Sequence, residues 1–164
     1  MRSAISSLIL FAAGVALGVL LMQPGAAQTQ ATGLRLNHVG IYAKNYDESM
    51  RFYTQVMGFR EAFTIRDKEG KPTLSYLHIN KDQFIEVAPS TAERPAGLSH
   101  AGIWPLDLNG AVGALRQRGA KVDDPRTGAN RTAITNVMDP NGVRLEFLDF
   151  LPDSAPAKAM ESFK

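Results

Sequence analysis

The chain has 164 residues and no cysteine, and its charges nearly balance, with 18 Lys and Arg against 16 Asp and Glu for a net charge of +2 at pH 7. Without cysteine there are no disulfides and no thiolate metal ligands. Without a run of Lys or Arg there is no stripe to track a phosphate backbone, so nucleic acid is not an expected partner.

At the start of the chain, Arg2 precedes a run from Leu8 to Met22 that is apolar apart from glycines, and Pro24-Gly25-Ala26-Ala27 closes it with small residues. This pattern reads as a secretory signal peptide over residues 1–27, which implies an exported chain, periplasmic or secreted. The alternative is an uncleaved membrane anchor, because the run lies near the lower limit of about 17 residues for a span. Residues 28–33 form a short polar lead, and the remainder of the chain has the length of one domain with its own core.

Leu34 to Ala43 alternates as a strand. Asp47 to Met57 carries Met50, Phe52 or Tyr53, and Met57 at helical spacing, starts near Asn45, and is stopped by Gly58. Phe59 to Arg66, Thr73 to Asn80 and Gln83 to Ala88 read as strands, separated by turns at Lys68-Glu69-Gly70-Lys71 and Lys81-Asp82. The order is βαβββ over residues 34–88, and residues 89–97, with two prolines and a glycine, are a linker. Residues 98–151 repeat the order: a strand from Leu98 to Leu106, a helix from Asn109 to Gln117 stopped by Gly119, a short strand at Lys121, and strands from Thr132 to Met138 and Val143 to Phe150. Asp139-Pro140-Asn141-Gly142 turns between the last two. The tail, residues 152–164, reads as loosely structured with a brief helix.

The repeat is visible in letters as well as in pattern. Leu36-Asn37-His38-Val39-Gly40-Ile41 returns as Leu98-Ser99-His100-Ala101-Gly102-Ile103, 62 positions on. Each copy ends in a glutamate within an apolar run, Glu86 lying 48 residues after His38 and Glu146 46 residues after His100. Two modules that each supply one imidazole and one carboxylate suggest a metal site where they meet. Side-chain alternation puts His38 with Tyr42, Glu86 with Phe84, His100 with Trp104, and Glu146 with Arg144 and Leu148. The opposite faces, with Val39, Ile41, Ile85, Val87, Ala101, Ile103, Leu145 and Phe147, are left for the helices. Tyr42, Trp104, Phe84, Leu148 and Phe150 are then expected as cavity walls that bind substrate, with Arg144 as an anion contact. His78 shares a face with Tyr76 and Leu74 and reads as a hydrogen-bonded structural histidine, with a place in the cavity lining as the alternative.

These residues resemble the vicinal oxygen chelate superfamily, which includes glyoxalase I, methylmalonyl-CoA epimerase, extradiol dioxygenases and bleomycin-resistance proteins. The resemblance spans about residues 34–151 and is carried by Leu36 to Ile41, by Ser49-Met50-Arg51-Phe52-Tyr53-Thr54-Gln55-Val56-Met57-Gly58-Phe59, and by Asp139 to Glu146. It implies an α+β fold in which paired βαβββ modules form a cup-shaped mixed sheet with flanking helices. It also implies that His38, Glu86, His100 and Glu146 hold a divalent ion (Ni, Zn, Co, Mn or Fe), with Glu146 or Glu86 as the catalytic base. In glyoxalase-like members such a metal stabilises an enediolate formed beside a carbonyl. A small-molecule substrate and a homodimer are the expected partners.

Three readings of function are open. The first is a metal-dependent lyase or isomerase like glyoxalase I or the epimerase, with Glu86 favouring the glyoxalase side because the epimerase pattern has glutamine there. The second is an extradiol-type dioxygenase using His38, His100 and Glu146, which leaves Glu86 surplus. The third is a metal-free binding cup of the bleomycin-resistance kind.

Overall fold

Both βαβββ units form, and they share a single sheet. The computed structural model describes residues 33–164; the signal peptide or anchor expected over residues 1–27 lies outside the described residues. Leu34–Lys164 is one compact unit. In module one, β1 (Arg35–Ala43) leads through helix α1 (Tyr46–Arg51) to β2 (Arg60–Arg66), β3 (Pro72–His78) and β4 (Phe84–Pro89). In module two, β5 (Gly97–Trp104) leads through α2 (Leu108–Gln117) to β6 (Arg126–Thr127), β7 (Thr132–Met138) and β8 (Arg144–Phe150), and α3 (Ala155–Ser162) ends the chain's regular structure.

The curled, mixed sheet runs β2-β3-β4-β1-β5-β8-β7-β6. Within each module the first strand lies parallel to the last, β1 to β4 and β5 to β8. The modules join where β1 and β5 pair antiparallel, at the centre of the sheet. In this structure the two modules pair within one chain.

Each helix covers the aliphatic face that alternation assigns to it. Val87 and Ile85 pack with Ala43 and Leu77 against Tyr46, Met50 and Tyr53, and Phe147, Leu145 and Ile103 pack against Leu108, Val112 and Leu115. The Asn45 side chain caps α1 by accepting from the Glu48 N–H at 3.2 Å. Beyond Arg51 the helix widens into a π-helical turn over Phe52–Val56, and Gly58 ends it at φ +74°.

Most element bounds shift by one or two residues, and three departures from the sequence expectation have a visible cause. No strand forms at Lys121; the short strand of module two is Arg126–Thr127, because Arg126 and Thr127 find Ile134 and Ala133 as ladder partners. The last strand begins at Arg144 rather than Val143, because Asp139 Oδ1 accepts from the Asn141 and Val143 N–H groups and keeps Val143 in the turn. The tail is ordered: Ser154, fully buried, caps α3, and Met160 enters a buried cluster with Tyr76 and Phe84.

Candidate metal centre

The centre is built at the β1–β5 junction by a reciprocal arrangement. His38 stands opposite Gly102 and His100 opposite Gly40, so each imidazole lies over the glycine of the other module. A β-carbon on Gly40 would fall 2.2 Å from His100 Cε1, and one on Gly102 2.3 Å from His38 Cε1. Only glycine leaves that space. The parallel neighbours then bring the carboxylates in, since Gly40 is in register with Glu86 and Gly102 with Glu146.

The four side chains converge. The two Nε2 atoms are 2.8 Å apart. Glu86 lies 3.6 Å from His38 Nε2 and 3.8 Å from His100 Nε2, and Glu146 lies 3.7 Å and 3.9 Å from the same atoms. Both histidines are buried, and each ring is held from behind through Nδ1. His38 Nδ1 lies 2.9 Å from Asn37 Oδ1, whose amide nitrogen donates to the Asp82 carbonyl at 2.7 Å. His100 Nδ1 lies 3.0 Å from Ser99 Oγ and receives an N–H from Arg144 at 2.7 Å. The Asn37 oxygen behind His38 fixes that ring's orientation and leaves Nε2 for a ligand bond, as the outer shell of a metal site does.

Electrostatics point the same way. Burial, His100 and Arg144 lower His38 to about 3, and burial followed by Arg144 lowers His100 to about 4, so both imidazoles are neutral near pH 7, the charge state in which imidazole ligates. Burial raises Glu86 to about 7, Glu146 adding to the shift and the Tyr76 hydroxyl and Arg144 opposing it; burial also raises Glu146. A half-buried and a buried carboxylate, both pushed upward, mark a site short of positive charge. Two neutral imidazoles and two carboxylates would balance a divalent ion, and oxygen and nitrogen donors suit a borderline or hard metal. His38, Glu86 and His100 each offer an atom within 4.8 Å of the others'. Glu146 stands outside that tighter group but within 3.9 Å of both imidazoles.

Two polar residues that the sequence reading did not name among the site residues stand beside the carboxylates. Tyr76 pairs across the ladder with Glu86, and Asn136 pairs with Glu146, so each carboxylate has a polar neighbour on the same face. Burial and Glu86 hold the Tyr76 phenol well above its ordinary value, which keeps it a donor. Asn136 Oδ1 is buried with no hydrogen-bond partner among the described residues. The repeat carried the signal: Tyr76 to Asn136 and Glu86 to Glu146 are both 60 positions apart.

The expected cavity walls divide. Phe84 and Leu148 are fully buried, and Phe84 packs with Tyr76 beneath Met160 of α3. Trp104 packs edge-on against Phe150 and carries Arg35 over its ring, 4.0 Å from the centroid. Tyr42 lies at the other end of β1, with Arg94 5.5 Å from its ring centroid. Arg144 is half-buried behind His100. His78 sits apart, with Nδ1 3.0 Å from the Asn80 carbonyl and its ring between Phe84 and Phe163.

Fold and donor set together define a two-module βαβββ protein with a candidate metal centre in the cup of one sheet. The chain belongs to the Glyoxalase/Bleomycin resistance protein/Dioxygenase superfamily, whose family model matches residues 35–147. It is 27% identical over 126 residues to a lactoylglutathione lyase of Haemophilus influenzae, covering 71% of this chain and 93% of that protein. It is 29% identical over 126 residues to the uncharacterized protein YwkD of Bacillus subtilis, covering 70% of this chain and 95% of that protein. Among solved structures, a Streptomyces coelicolor methylmalonyl-CoA epimerase in complex with 2-nitronate-propionyl-CoA superposes with a TM-score of 0.61. The two are 24% identical, over 71% of this chain and 94% of the epimerase.

Proposed function

We propose that this chain is a metal-dependent lyase or isomerase of the glyoxalase I kind, moving a proton at a carbon beside a carbonyl. The observation that carries the reading is the convergence of two neutral imidazoles and two destabilised carboxylates at one point within one chain. The likeness to a lactoylglutathione lyase supports it. A divalent ion bound by these four would polarise the carbonyl and offset the charge that develops on adjacent oxygens.

The protein's own part can be assigned residue by residue. His38 and His100 fix the position of the ion, and their Nδ1 partners fix theirs. Glu86 is the base once it loosens from the ion, and burial in the cup favours its taking up a proton. Tyr76 steadies Glu86 by donating to it. Glu146 remains the second anionic ligand. Four candidate ligands favour this reading over a ring-cleaving dioxygenase, which needs two histidines and one carboxylate and leaves Glu86 without a task.

The reading extends to an exported chain, from its first 27 residues, and therefore to a substrate other than a glutathione adduct. A homodimer is compatible with it but is not needed to complete the centre, because all four ligands come from one chain. The test is metal content by elemental mass spectrometry beside His38→Ala and Glu146→Ala, followed by assay on 2-oxoaldehyde adducts and acyl thioesters. About one ion per chain, lost in both variants, with metal-dependent turnover is the expected result. No metal after reconstitution with nickel, zinc, manganese and iron overturns it and leaves a metal-free binding cup.

A further inference from the structure

Along its strands the cup has two ends, and the tail closes one of them. Phe84 stands two residues from Glu86, Leu148 two from Glu146 and Trp104 four from His100, all on the face of the four ligands. Helix α3 lies over this end, where Met160 is buried with Tyr76 and Phe84, and Phe63, Trp104 and Phe150 pack around them. The helix is tied at both sides of the sheet. Before β7, the Asn130 carbonyl accepts from the Ala155 N–H at 3.2 Å and Arg131 pairs with Asp153 at 2.7 Å. On β2 and β3, at the opposite edge, the Phe163 ring lies 4.7 Å from that of His78 with the Arg60 guanidinium 4.8 Å above it. The helix therefore spans the concave face. At the other end of the cup Met138, paired with Arg144, is exposed. The match to the family model ends at residue 147, so α3 lies beyond it.

We infer, resting on the proposed metal-dependent function, that α3 is a fixed inner wall of the substrate site and Met160 its specificity-determining residue. The substrate is then a compact carbonyl compound whose group on the α3 side is about the size of a methyl, with any bulky carrier directed to the open end. Phe84, Leu148, Tyr76 and Met160 are all buried, so a larger group on that side must displace one of them. Tyr76 cannot yield without cost, because it donates to Glu86 and is held from the far side by the Asn130 amide at 3.5 Å. Asn130 is also the residue that accepts the first N–H of α3, so the wall and the partner of Glu86 share one support. Met160 is the side chain whose truncation opens space there while leaving the hydrogen bonds of Tyr76 in place.

The experiment titrates the zinc-loaded protein with acetohydroxamate and benzohydroxamate by calorimetry. Both chelate through the same two oxygens and differ in carrying a methyl or a phenyl group. The protein is expected to bind acetohydroxamate at least about tenfold more tightly, the scale on which a fixed pocket rejects excess bulk. Met160→Ala should shift that ratio at least about tenfold toward benzohydroxamate, and Met160→Leu, which conserves volume, should keep it. A substitution that merely loosens the fold weakens both ligands and leaves the ratio alone. Trp104, the one tryptophan of the chain, packs against the Met160 cluster, so quenching of its fluorescence by acrylamide reads whether α3 stays in place. Quenching should be unchanged when acetohydroxamate binds and should rise in Met160→Ala with or without zinc. Benzohydroxamate bound by the native protein as tightly as acetohydroxamate overturns the wall. So does quenching that rises as either ligand binds, which would make α3 a movable lid. If Met160→Ala does not fold, the native protein's ratio and quenching still decide. Zinc that fails to bind overturns the metal-dependent reading instead, and the quenching of Trp104 in Met160→Ala then tests the wall: no rise overturns it.

Discussion

At Gly40 and Gly102 the absent side chain is what the centre depends on. An alanine at either place would have its β-carbon within 2.3 Å of an imidazole carbon that is itself buried, so the ring or the strand must shift. Gly40→Ala and Gly102→Ala are each expected to destabilise the protein by about 1–3 kcal/mol, the range for overpacking. Each should also weaken zinc binding, as titration calorimetry and thermal melts can measure. Glu86 gives the pH dependence. Its folded value of about 7 lies above the ordinary 4.5, so its contribution to metal-free stability is present below pH 4.5 and is lost as pH rises through 7. His38 and His100 are lowered to about 3 and 4, so their contribution is present above 6.5 and is lost as pH falls toward those values. Metal displaces the Glu86 proton, so zinc affinity should rise between about pH 5.5 and 7 and level off above, releasing up to one proton per ion. The thermal shift on adding zinc should be larger at about pH 8 than at about pH 5.5. His38, Glu86, His100 and Glu146 were legible because each repeats at a matching offset within an apolar run; the glycine's role was not, because a missing side chain leaves no mark in a hydrophobic pattern.

Among the elements, the brief helix expected in the tail forms as α3, but its packing was not foreseen. Its apolar face is only Pro156, Ala159 and Met160, and the chain before it reads as turn. What orders it is the concave face of the sheet, where Met160 meets Tyr76 and Phe84 with Phe63, Trp104 and Phe150 around them. Phe163 packs on His78 beneath Arg60, which ties down the end of the helix. Met160→Ala should cost about 2 kcal/mol, the low end for a buried methionine, because several of its neighbours are only partly buried. Ending the chain at Leu151 should expose this aromatic wall, raising the binding of a hydrophobic dye and lowering the melting temperature. The bounds of α1 and the short strand of module two were likewise set by partners. Phe59 N–H reaching the Tyr53 carbonyl favours the π-helical turn, and Ile134 and Ala133 choose Arg126–Thr127 as the strand.

For the molecule as a whole, the paired βαβββ architecture was readable because two copies with matching landmarks constrain each other more than one pattern can. The junction was not readable: nothing in either copy alone says that β1 takes β5 as its neighbour. If the centre binds zinc, a ligand that favours the folded state adds about 2.7 kcal/mol at a hundredfold excess over its dissociation constant. A chelator should therefore lower the melting temperature of the loaded protein by several degrees and leave the metal-free protein unchanged.

The crossed seating of each histidine over the other module's glycine also bears on the order in which the protein assembles. His38 and His100 meet only when strands 62 residues apart in sequence have paired, and such long-range closure comes late in folding. Either module folded alone holds one imidazole and one carboxylate, too few to grip an ion. Zinc capture during refolding should therefore lag behind the growth of strand and helix signal and coincide with the joining of the halves. The centre would then serve as a clock for the last step of folding, readable without any substrate.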